Sequence, residues 1–446
     1  SPPMPVAAAL ALCLAAATQP APAPAGTEPG YITPGDLERR LQSVADNYPD
    51  ITRLYSLGPS TRGHALWAMV ISDAPGEQEA EPEFKYVSTM HGDEPVGTEL
   101  MVRLIDRLTQ DYDTDPRIAQ LVDSTEIWIV PLMNPDGYER RRRANFQGID
   151  LNRSFPVFPD DYTGTVFDGE ALNDEGRATE TQWVMQWAAD NSFVLSANLH
   201  TGALVVNYPY DDAPGARTGR PSPTPDEPLI RALARTYASR NPALDASTRF
   251  PGGVTNGAEW FVIKGGMQDW NYRYLGCIEV TLELAEPKAP SASRLPALWA
   301  ENEEALLAYI AAVHQGVRGR VSDRNTGAPR YARIRVEGNP QPVFSDADLG
   351  DYYRLLLPGT YTLYAEAPGY ITCRSQAVAV GEGAATVYDF ALSNGDVDGN
   401  GRVSVTDVQR VVQALLRGDT AGPGDVDGRG ISATDLQAVI NAALAQ

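Results

Sequence analysis

The fold is decided by four short apolar stretches, each of seven to nine residues: FKYVSTMH (84–91), EIWIVPLMN (126–134), VLSANLH (194–200) and CIEVTLEL (277–284). They are rich in β-branched and aromatic residues and lack the polar alternation of a half-exposed strand, so they indicate strands buried on both faces. Helical patterns, for example at residues 35–48 and 99–112, lie before and between them. This alternation predicts an α/β domain over residues 31–314, with a mixed central sheet flanked by helices.

Polar residues follow two of these strands in a pattern that suits a metal ion. His91 and Glu94 follow the first strand in MHGDEPVG, and His200 ends the third. A catalytic zinc site typically has three nitrogen or oxygen ligands from the protein. Buried imidazoles without partners would be costly at strand ends, which favours a shared role for the two histidines. The other two histidines of the chain, His64 and His314, have no comparable neighbours and are interpreted as structural or surface residues.

Two further features allow alternative interpretations. Glu283, near the end of the fourth strand, is either an ion-paired core residue or a catalytic base, and its position alone favours the first. The four consecutive arginines at residues 140–143 are typical of a solvated charge run. However, Arg143 is followed closely by Asn152 and Arg153, and guanidinium groups bind carboxylates and oxyanions through paired hydrogen bonds.

After residue 314 the pattern changes twice. Residues 315–393 contain short strands separated by turn residues, which predicts a small antiparallel β-sandwich. It has no histidine and no cluster of metal-binding residues, so we interpret it as a structural or docking domain. Residues 394–446 contain an imperfect repeat, in which GDVDGNGRVSVTDVQRVVQALL is echoed by GDVDGRGISATDLQAVINAAL. Each copy predicts an aspartate-rich turn followed by a helix, so the segment is expected to form a small α-helical repeat module.

The first 30 residues differ from the rest. MPVAAALALCLAAAT at residues 4–18 is apolar but too short to span a membrane, and a Pro/Ala-rich linker follows it. This segment resembles a secretory signal peptide, and we expect a protein that is secreted or associated with the cell surface. No later stretch predicts a transmembrane helix. If Cys13 is removed with the segment, Cys277 and Cys373 are expected to be unpaired thiols.

The overall charge restricts the partners of the protein. Among 446 residues, 58 Asp and Glu outnumber 36 Lys and Arg, which gives a net charge of −22. An acidic surface repels nucleic acids and anionic membranes, so neither is an expected partner. A cationic substrate is compatible with this charge.

The first copy of the C-terminal repeat has the spacing of an EF-hand-like calcium loop. Six residues occupy positions one, three, five, seven, nine and twelve of a twelve-residue loop: Asp396, Asp398, Asn400, Arg402, Ser404 and Asp407. Position seven contributes its backbone carbonyl, and Gly401 at position six permits the turn. The sequence therefore predicts a structural Ca²⁺ site here, with an Asp/Gly-rich surface turn as the alternative.

The second copy of the loop is less suited to calcium. It keeps Asp425, Asp427 and Asp435, but it is one residue shorter and has Arg429 at the fifth position. A cation among the ligands should weaken the binding of another cation, so we expect one good site and one poor site. Together the duplicated loops resemble a dockerin module, a class of module that binds a cohesin partner.

Six motifs of the first 314 residues carry a resemblance to a known family: HGDEPVG, NPDGYE, DLNRSFP, NLHTGALVVNYPYDD, GGMQDWNY and TLEL. They occur in the order and spacing of the zinc metallocarboxypeptidases, and most closely of the regulatory branch with carboxypeptidases N, E, D and M. Residues 316–392 resemble the transthyretin-like domain of that branch. The resemblance implies that His91, Glu94 and His200 bind one catalytic Zn²⁺. It also implies Glu283 as the general base and Arg143 as the cation that stabilises the oxyanion.

The resemblance also assigns residues to substrate binding. Asn152 and Arg153 match the pair that holds the terminal carboxylate of the substrate, which implies an exopeptidase. Asp211 matches the aspartate that favours a C-terminal Lys or Arg, and Gln268 matches the residue at the floor of that pocket. Phe261 occupies the position of a mobile tyrosine, so the aromatic ring is kept and the hydroxyl group is lost. The expected substrate is a peptide or protein with a basic C-terminal residue.

Two other functions remain open from the sequence. The first is a non-catalytic peptide-binding protein on the same scaffold, which Phe261 permits and Glu283 argues against. The second is a carboxypeptidase that acts on cell-wall peptides, which Asp211 together with Gln268 disfavours.

Overall fold

A mixed eight-stranded sheet forms the centre of the first domain in the computed structural model, which describes residues 30–445. Its strands are β1 (Thr52–Pro59), β2 (Ala65–Ile71), β3 (Glu83–Ser88), β4 (Glu126–Val130), β5 (Phe193–His200), β6 (Ala203–Tyr208), β7 (Val254–Asn256) and β8 (Ile278–Ala285). The strand order is β1-β2-β4-β3-β5-β8-β6-β7. Strands β4, β3, β5 and β8 are parallel neighbours, while β1, β2 and β6 introduce antiparallel pairs, so the predicted mixed sheet is confirmed.

Helices cover both faces of this sheet. They are α1 (Pro34–Asn47), α2 (Val96–Gln110), α3 (Pro116–Val122), α4 (Pro135–Glu139), α5 (Thr179–Ala189), α6 (Glu227–Ala238), α7 (Pro242–Asp245), α8 (Gly257–Trp260), α9 (Met267–Trp270) and α10 (Leu295–Ala311). Helices α1, α2, α6 and α10 pack on one face, and α5 and α9 pack on the other. The sheet is therefore buried on both sides, which explains why its central strands are nearly continuous apolar runs.

The predicted elements agree with the observed ones to within a few residues. The pattern at residues 35–48 corresponds to α1, which buries Leu37, Leu41 and Val44 on one face. Thr33 ends the preceding segment, and its hydroxyl group accepts the backbone N–H of Asp36 at 3.1 Å, which satisfies a free donor of the first turn. The pattern at 99–112 corresponds to α2, which begins three residues earlier, at Val96.

The second domain is a two-layered β-structure. Its strands are β9 (Val317–Asp323), β10 (Arg333–Val336), β11 (Val343–Phe344), β12 (Asp351–Arg354), β13 (Gly359–Tyr361), β14 (Leu363–Glu366), β15 (Cys373–Arg374), β16 (Val378–Val380), β17 (Thr386–Val387) and β18 (Phe390–Leu392). The expected antiparallel pairing is confirmed for the other strand pairs of this domain, but it is wrong for β17 and β18, which both pair with β9 in parallel.

A buried ion pair joins the two domains. Arg354 of β12 is 1% exposed, and its Nη2 donates to Asp226 Oδ1 at 2.7 Å. Asn339 donates to the same oxygen at 2.7 Å, and the hydroxyl group of Tyr272 donates to the other carboxylate oxygen at 2.8 Å. Burial of two charges is tolerated only when the remaining polar atoms are paired, as they are at Asp226. The β-domain is thus fixed to the α/β domain at a defined position.

The C-terminal segment forms two helices, α11 (Val405–Arg417) and α12 (Ala433–Leu444), each preceded by an aspartate-rich loop. Both loops contact the β-domain directly. At the first loop, Asn325 Nδ2 donates to the carbonyl of Asp396 at 2.9 Å. At the second loop, Arg324 Nη1 donates to the carbonyl of Asp425 at 2.6 Å, and the backbone N–H of Arg374 donates to the carbonyl of Asp427 at 2.9 Å. Ile371 of the β-domain also packs against the apolar core between the two helices. The predicted helical repeat is therefore present, and it packs on the β-domain.

Three sequence predictions concern the whole chain. The signal-peptide-like segment, the linker and Cys13 lie outside the described residues. Within residues 30–445, Cys277 and Cys373 are both buried and unpaired, as expected. None of the helices in the same part of the chain combines the length and the apolar character needed to cross a membrane.

Candidate active site

The carboxyl ends of β3 and β5 bring the three proposed zinc ligands together. These strands are parallel neighbours, so His91, three residues beyond β3, lies close to His200 at the end of β5. Glu94 lies between the two rings. Its Oε1 is 3.1 Å from His91 Nδ1, and its Oε2 is 2.9 Å from His200 Nδ1. All three side chains are buried, and the predicted cluster is confirmed.

This arrangement fits a zinc ion. The two Nδ1 atoms are 3.0 Å apart and share the same carboxylate, so two nitrogen lone pairs and a negative charge converge on one point. His200 Nε2 is buried and has no hydrogen-bond partner among the described residues. Two imidazole nitrogens and one carboxylate, beside a cavity that admits water and substrate, form the ligand set of a catalytic zinc site.

Asp150 holds the first histidine in position, although the sequence analysis did not identify it. Its Oδ1 is 2.9 Å from His91 Nε2, and its Oδ2 accepts a hydrogen bond from Arg143 Nε at 2.9 Å. Burial alone would raise the pKa of Asp150, but the hydrogen bond to His91 and the charge of Arg143 hold it below its ordinary value. An ionised carboxylate behind a metal-binding histidine fixes the orientation of the ring. The motif DLNRSFP, which begins with Asp150, was the available signal.

Lys288 is a second residue that the sequence analysis missed. Its Nζ is 2.9 Å from Glu94 Oε1 and 3.2 Å from Asp93 Oδ2. The carbonyl of Lys288 accepts the hydroxyl proton of Thr201 at 2.5 Å, which ties the segment after β8 to the segment after β5. The stem of Lys288 also lies against Gly202, where a Cβ atom would be only 3.1 Å from it. Lys288 therefore places a cation at the edge of the metal cluster.

A cavity of about 190 Å³ adjoins the metal cluster. Its wall includes the three candidate ligands and six other residues that the sequence analysis selected: Arg143, Asn152, Arg153, Asp211, Phe261 and Glu283. Gln268 lies behind this wall. Its Oε1 accepts a hydrogen bond from Thr281 at 2.9 Å, and its Nε2 donates to Asn207 at 3.4 Å. The structure therefore gathers all of the proposed catalytic-domain residues around one cleft.

Glu283 lies beside the metal cluster. It is the direct register partner of His200 across the parallel pair of β5 and β8. Its Oε2 is buried and has no hydrogen-bond partner among the described residues. Burial raises the pKa of Glu283 to about 7. A carboxyl group with a pKa close to neutral can both accept and return a proton.

Asp211 lines the same cavity and is 2% exposed. Asn207 Nδ2 donates to its Oδ1 at 3.2 Å. A Cβ atom at Gly257 would be 2.0 Å from the same oxygen, so only glycine permits this close approach. Burial and the neighbouring charge of Asp269 raise the pKa of Asp211 well above its ordinary value. An acidic group in this environment is stabilised as a carboxylate when a cation approaches it.

The aspartates of the C-terminal loops also cluster. Ligand oxygens of Asp396, Asp398 and Asp407 lie within 4.8 Å of one another, and those of the second loop do the same. Asp407 Oδ1 accepts the backbone N–H groups of Val397 and Asp398 at 2.7 and 3.1 Å. Asp396 Oδ2 accepts the N–H of Gly401 at 2.7 Å. The loop is thus closed by its own carboxylates.

His64 and His314 are both remote from the metal cluster. His64 Nδ1 is 2.9 Å from the buried carboxylate of Asp136, and its Nε2 is 3.3 Å from Glu139. His314 Nε2 is 2.7 Å from the hydroxyl group of Thr125. Burial lowers the pKa of His314 to about 4. Their contacts agree with the structural role predicted for them.

A mixed α/β sheet with two histidines and a glutamate at adjacent parallel strand ends, beside a cleft with a buried carboxyl group, defines a zinc-dependent hydrolase. Comparison with known sequences identifies its class. The family described as "Zinc carboxypeptidase" matches residues 37–305, and the "Carboxypeptidase regulatory-like domain" matches residues 316–393. The chain belongs to the zinc carboxypeptidase family and is a zinc metallocarboxypeptidase, an exopeptidase.

Individual relatives agree with this assignment. The chain is 43% identical to carboxypeptidase M of Mus musculus over 356 residues, which covers 75% of the chain and 77% of that protein. It is 41% identical to the carboxypeptidase N catalytic chain of Mus musculus over 388 residues, covering 80% and 84%. It is also 41% identical to carboxypeptidase SOL1 of Arabidopsis thaliana over 369 residues, covering 81% and 72%. The chain therefore belongs to the branch that includes carboxypeptidases M and N.

Solved structures agree on the fold. A crystal structure of thrombin-activatable fibrinolysis inhibitor superposes with a TM-score of 0.52 and 18% identity, over 63% of the chain and 73% of that protein. Carboxypeptidase A from Helicoverpa armigera gives a TM-score of 0.52 and 17% identity, over 63% and 72%. At this identity the likeness concerns the fold alone.

Proposed function

We propose that this carboxypeptidase removes C-terminal Lys or Arg from peptides and proteins. The observation that supports this specificity is the buried carboxyl group of Asp211 in the wall of the cleft. Among the described residues Asp211 forms no ion pair within 4.0 Å, and the cation that favours its ionised form is the more distant Arg153. A buried acid in this situation is unfavourable, and an entering ammonium or guanidinium group supplies a direct partner. Gln268 supports the floor of the pocket through Thr281 and Asn207.

His91, Glu94 and His200 hold the zinc ion in this proposal. Bound zinc supplies a Lewis acid that polarises the scissile carbonyl and makes water easier to deprotonate. Asp150 keeps the His91 ring oriented through its 2.9 Å contact. Glu283 takes the proton from the attacking water and returns it to the leaving amine, for which its burial and its pKa of about 7 are suited.

Three residues bind the substrate on either side of the scissile bond. Arg143 lines the cleft with a half-exposed guanidinium group, fixed by Asp150 and Glu94, and stabilises the developing oxyanion. Asn152 and Arg153 hold the terminal carboxylate of the substrate. The N–H of Met267 donates to Asn152 Oδ1 at 3.1 Å, so the Asn152 amide is oriented with its NH₂ group left to donate.

Phe261 lines the cleft. Its ring is 40% exposed and packs edge-on against Trp260, with 4.7 Å between the ring centres. The ring shields the bound substrate from water, but without a hydroxyl group it makes one hydrogen bond fewer than tyrosine would. A hydrogen bond of this kind contributes about 1 kcal/mol, so Phe261 weakens binding without removing the chemistry.

The specificity is tested with a panel of peptides that differ only in the last residue. We expect peptides ending in Arg or Lys to be cleaved with the highest kcat/KM, and we expect a zinc chelator to abolish cleavage of every peptide. Faster cleavage of peptides ending in Phe or Leu would contradict the proposed specificity. Cleavage restricted to cell-wall peptides would support the alternative substrate class.

We further propose that residues 394–446 form a dockerin-like module with one structural Ca²⁺ site. Ca²⁺ would be bound by Asp396, Asp398, Asn400, Ser404 and Asp407 and by the backbone carbonyl of Arg402. The converging carboxylates of the first loop and the duplicated loop-helix pattern support this proposal. A cohesin-type protein is the proposed partner. With the domains at 31–314, 315–393 and 394–446, and with the signal-peptide-like segment 1–30, the proposal describes a protein that is secreted or held at the cell surface.

Calcium titration of the full chain tests the module. We expect binding of about one Ca²⁺ per chain, together with a rise in the melting temperature of the C-terminal segment. The variant Asp398→Asn should weaken this binding by about tenfold or more, because it removes a charged ligand at position three. The same substitution in the second loop, Asp427→Asn, should have little effect. Equal losses in both variants, or no binding at all, would reject the proposed site.

A further inference from the structure

The proposed function uses only the last residue of the arginine run at 140–143, and the other three belong to a basic surface next to the cleft. We define the arginine patch as five exposed residues: Arg62, Arg140, Arg141, Arg142 and Phe146. The ring of Phe146 is 44% exposed and lies between two guanidinium groups, 5.4 Å from Arg62 Cζ and 5.1 Å from Arg140 Cζ. These cation–π contacts hold two separate segments of the chain in one surface.

The patch is unusual in its lack of acidic partners. Within residues 30–445, none of its four guanidinium groups lies within 4.0 Å of a carboxylate, although the chain has 58 acidic residues and 36 basic ones. The one carboxylate contact of these arginines is through the backbone, where the N–H of Arg62 donates to Asp136 at 3.0 Å. The nearest acidic residue along the run, Glu139, is paired with His64 at 3.3 Å. In so acidic a protein, four neighbouring arginines without carboxylate partners leave positive charge available to an anionic ligand.

The patch begins at the rim of the catalytic cleft. Arg142 directly precedes Arg143, which lines the cavity. The N–H of Arg142 donates to the carbonyl of Gly137 at 2.8 Å, and a Cβ atom at Gly92 would be 2.6 Å from the carbonyl oxygen of Arg142. The run is therefore packed against the residue that follows His91. From Arg143 to Arg140 the backbone covers at most about 11 Å, the length of three to four extended peptide residues.

We propose that the arginine patch binds acidic side chains of the substrate two to five residues before the scissile bond. This inference rests on the proposed function, which places a basic last residue at Asp211. The preferred substrate then carries an acidic segment followed by a C-terminal Lys or Arg, so both signs of charge are matched along the cleft. A short acidic segment can bind within the arginine patch alone. A long polyanion would extend beyond the patch and be repelled by the acidic remainder of the surface.

The test compares three peptides that share an Ala-Arg C-terminus and carry three Glu, three Gln or three Lys before it. We expect kcat/KM to fall in the order Glu, Gln, Lys, with about tenfold between the Glu and Gln peptides at low salt, because several weak exposed charge pairs add up. The preference should shrink at high salt. In the variant Arg140→Gln/Arg141→Gln/Arg142→Gln the Glu and Gln peptides should be cleaved equally, with the Gln peptide unaffected.

A matched control separates the patch from the net charge. The variant Arg231→Gln/Arg240→Gln/Arg294→Gln removes three exposed arginines that also lack carboxylate partners within the described chain, and it should keep the tenfold preference. Reversal of the patch with Arg140→Glu/Arg141→Glu/Arg142→Glu should favour the Lys peptide, which a misfolded protein would not do.

Three outcomes would overturn the inference. The first is equal cleavage of the Glu and Gln peptides by the wild type. The second is an unchanged preference for the Glu peptide in the variant Arg140→Gln/Arg141→Gln/Arg142→Gln. The third is weaker retention of that variant on a heparin column, compared with the wild type, while its peptide preference stays the same, which would indicate that the patch binds polyanions. If the wild type does not cleave the Gln peptide but cleaves the same peptide with Leu in place of the C-terminal Arg, the proposed specificity has failed. The patch is then tested with the Glu, Gln and Lys peptides that end in Leu, on the same criteria.

Discussion

Replacement of Glu283 by glutamine is expected to lower kcat by about 10³-fold and to leave KM and zinc content unchanged. Glutamine has the same size as glutamate but cannot accept a proton from water. Glu283 is buried, lies beside His200 in the sheet register and has a pKa raised to about 7. Because the change replaces a desolvated acid with a neutral amide, it should not destabilise the fold. Steady-state kinetics on an Arg-ending peptide, together with metal analysis, measures the effect.

Glu286→Gln provides the matched control for this prediction. Glu286 lies three residues further along, is exposed, and pairs with Arg249 at 3.5 Å on the surface. The same chemical change there should alter kcat by less than twofold. If Glu283→Gln retains its zinc and its kcat stays within tenfold of the wild type, Glu283 is not the general base.

Replacement of Asp211 by asparagine is expected to lower kcat/KM for Arg-ending peptides by about 10²-fold. Peptides ending in Ala should be cleaved at an unchanged rate. The substituted amide keeps the shape of the pocket and the contact with Asn207, but it provides no charge for a guanidinium group that has left water. The measured quantity is the ratio of kcat/KM for Arg-ending and Ala-ending peptides.

The pKa of Asp211 gives this prediction a pH signature. Burial and the charge of Asp269 raise that pKa, so the carboxyl group of the empty pocket retains its proton to a higher pH than an ordinary aspartate. Binding of a cationic side chain requires release of this proton. KM for Arg-ending peptides should therefore fall as the pH rises towards the pKa of the empty pocket, and the Asp211→Asn variant should lose this dependence.

Asp212→Asn is the control, because it makes the same change one residue further on. Asp212 does not line the cavity, and its backbone N–H donates to Asp269 at 2.8 Å. We expect its Arg-to-Ala ratio to match the wild type within twofold. Equal losses of selectivity in the two variants would indicate a general effect of charge instead of a specificity pocket.

The sequence predicted the central strands well and the pairing of the β-domain poorly. Burial on both faces makes the central strands of the mixed sheet continuous apolar runs, so β3, β4, β5 and β8 are visible in the sequence itself. Their ends are less visible, because the predicted stretches at 84–91 and 126–134 continue three and four residues beyond the ends of β3 and β4. In contrast, nothing in the short strands β17 and β18 encodes the direction of their partner β9, which lies far earlier in the chain.

The candidate site was predictable where its residues belong to strand ends. The proposed zinc ligands, His91, Glu94 and His200, lie at or just after the ends of buried strands. Polar groups buried there are unfavourable unless a ligand or another polar group pairs with them. Asp150 contacts His91, which lies 59 residues away in the sequence, and Lys288 contacts Glu94, which lies 194 residues away. Both residues were missed because of these separations and because charged residues are common in loops. Their importance depends on the packing of distant segments, which a local pattern does not contain.

The burial of Lys85 and its partners were also not predictable from the sequence. It lies within the apolar stretch of β3, is fully buried, and donates from Nζ to Glu279 Oε2 at 3.1 Å. Ser196, Asn198 and Asn271 donate to the same carboxylate at 2.6 to 2.8 Å. A charge in a core strand is tolerated only with such a set of partners, and the partners come from β5, β8 and the segment after α9.

The direct packing of both C-terminal loops on the β-domain has a geometric consequence. A module joined by a flexible linker raises the local concentration of an enzyme near its support but leaves the enzyme free to turn. Here strand β18 ends at Leu392, and the first loop begins at Asp396 without an intervening linker. A partner that binds α11 or α12 would therefore also fix the orientation of the catalytic cleft relative to that partner. Whether the C-terminus of a neighbouring protein can enter the cleft would then depend on the direction in which the cleft faces as well as on the distance.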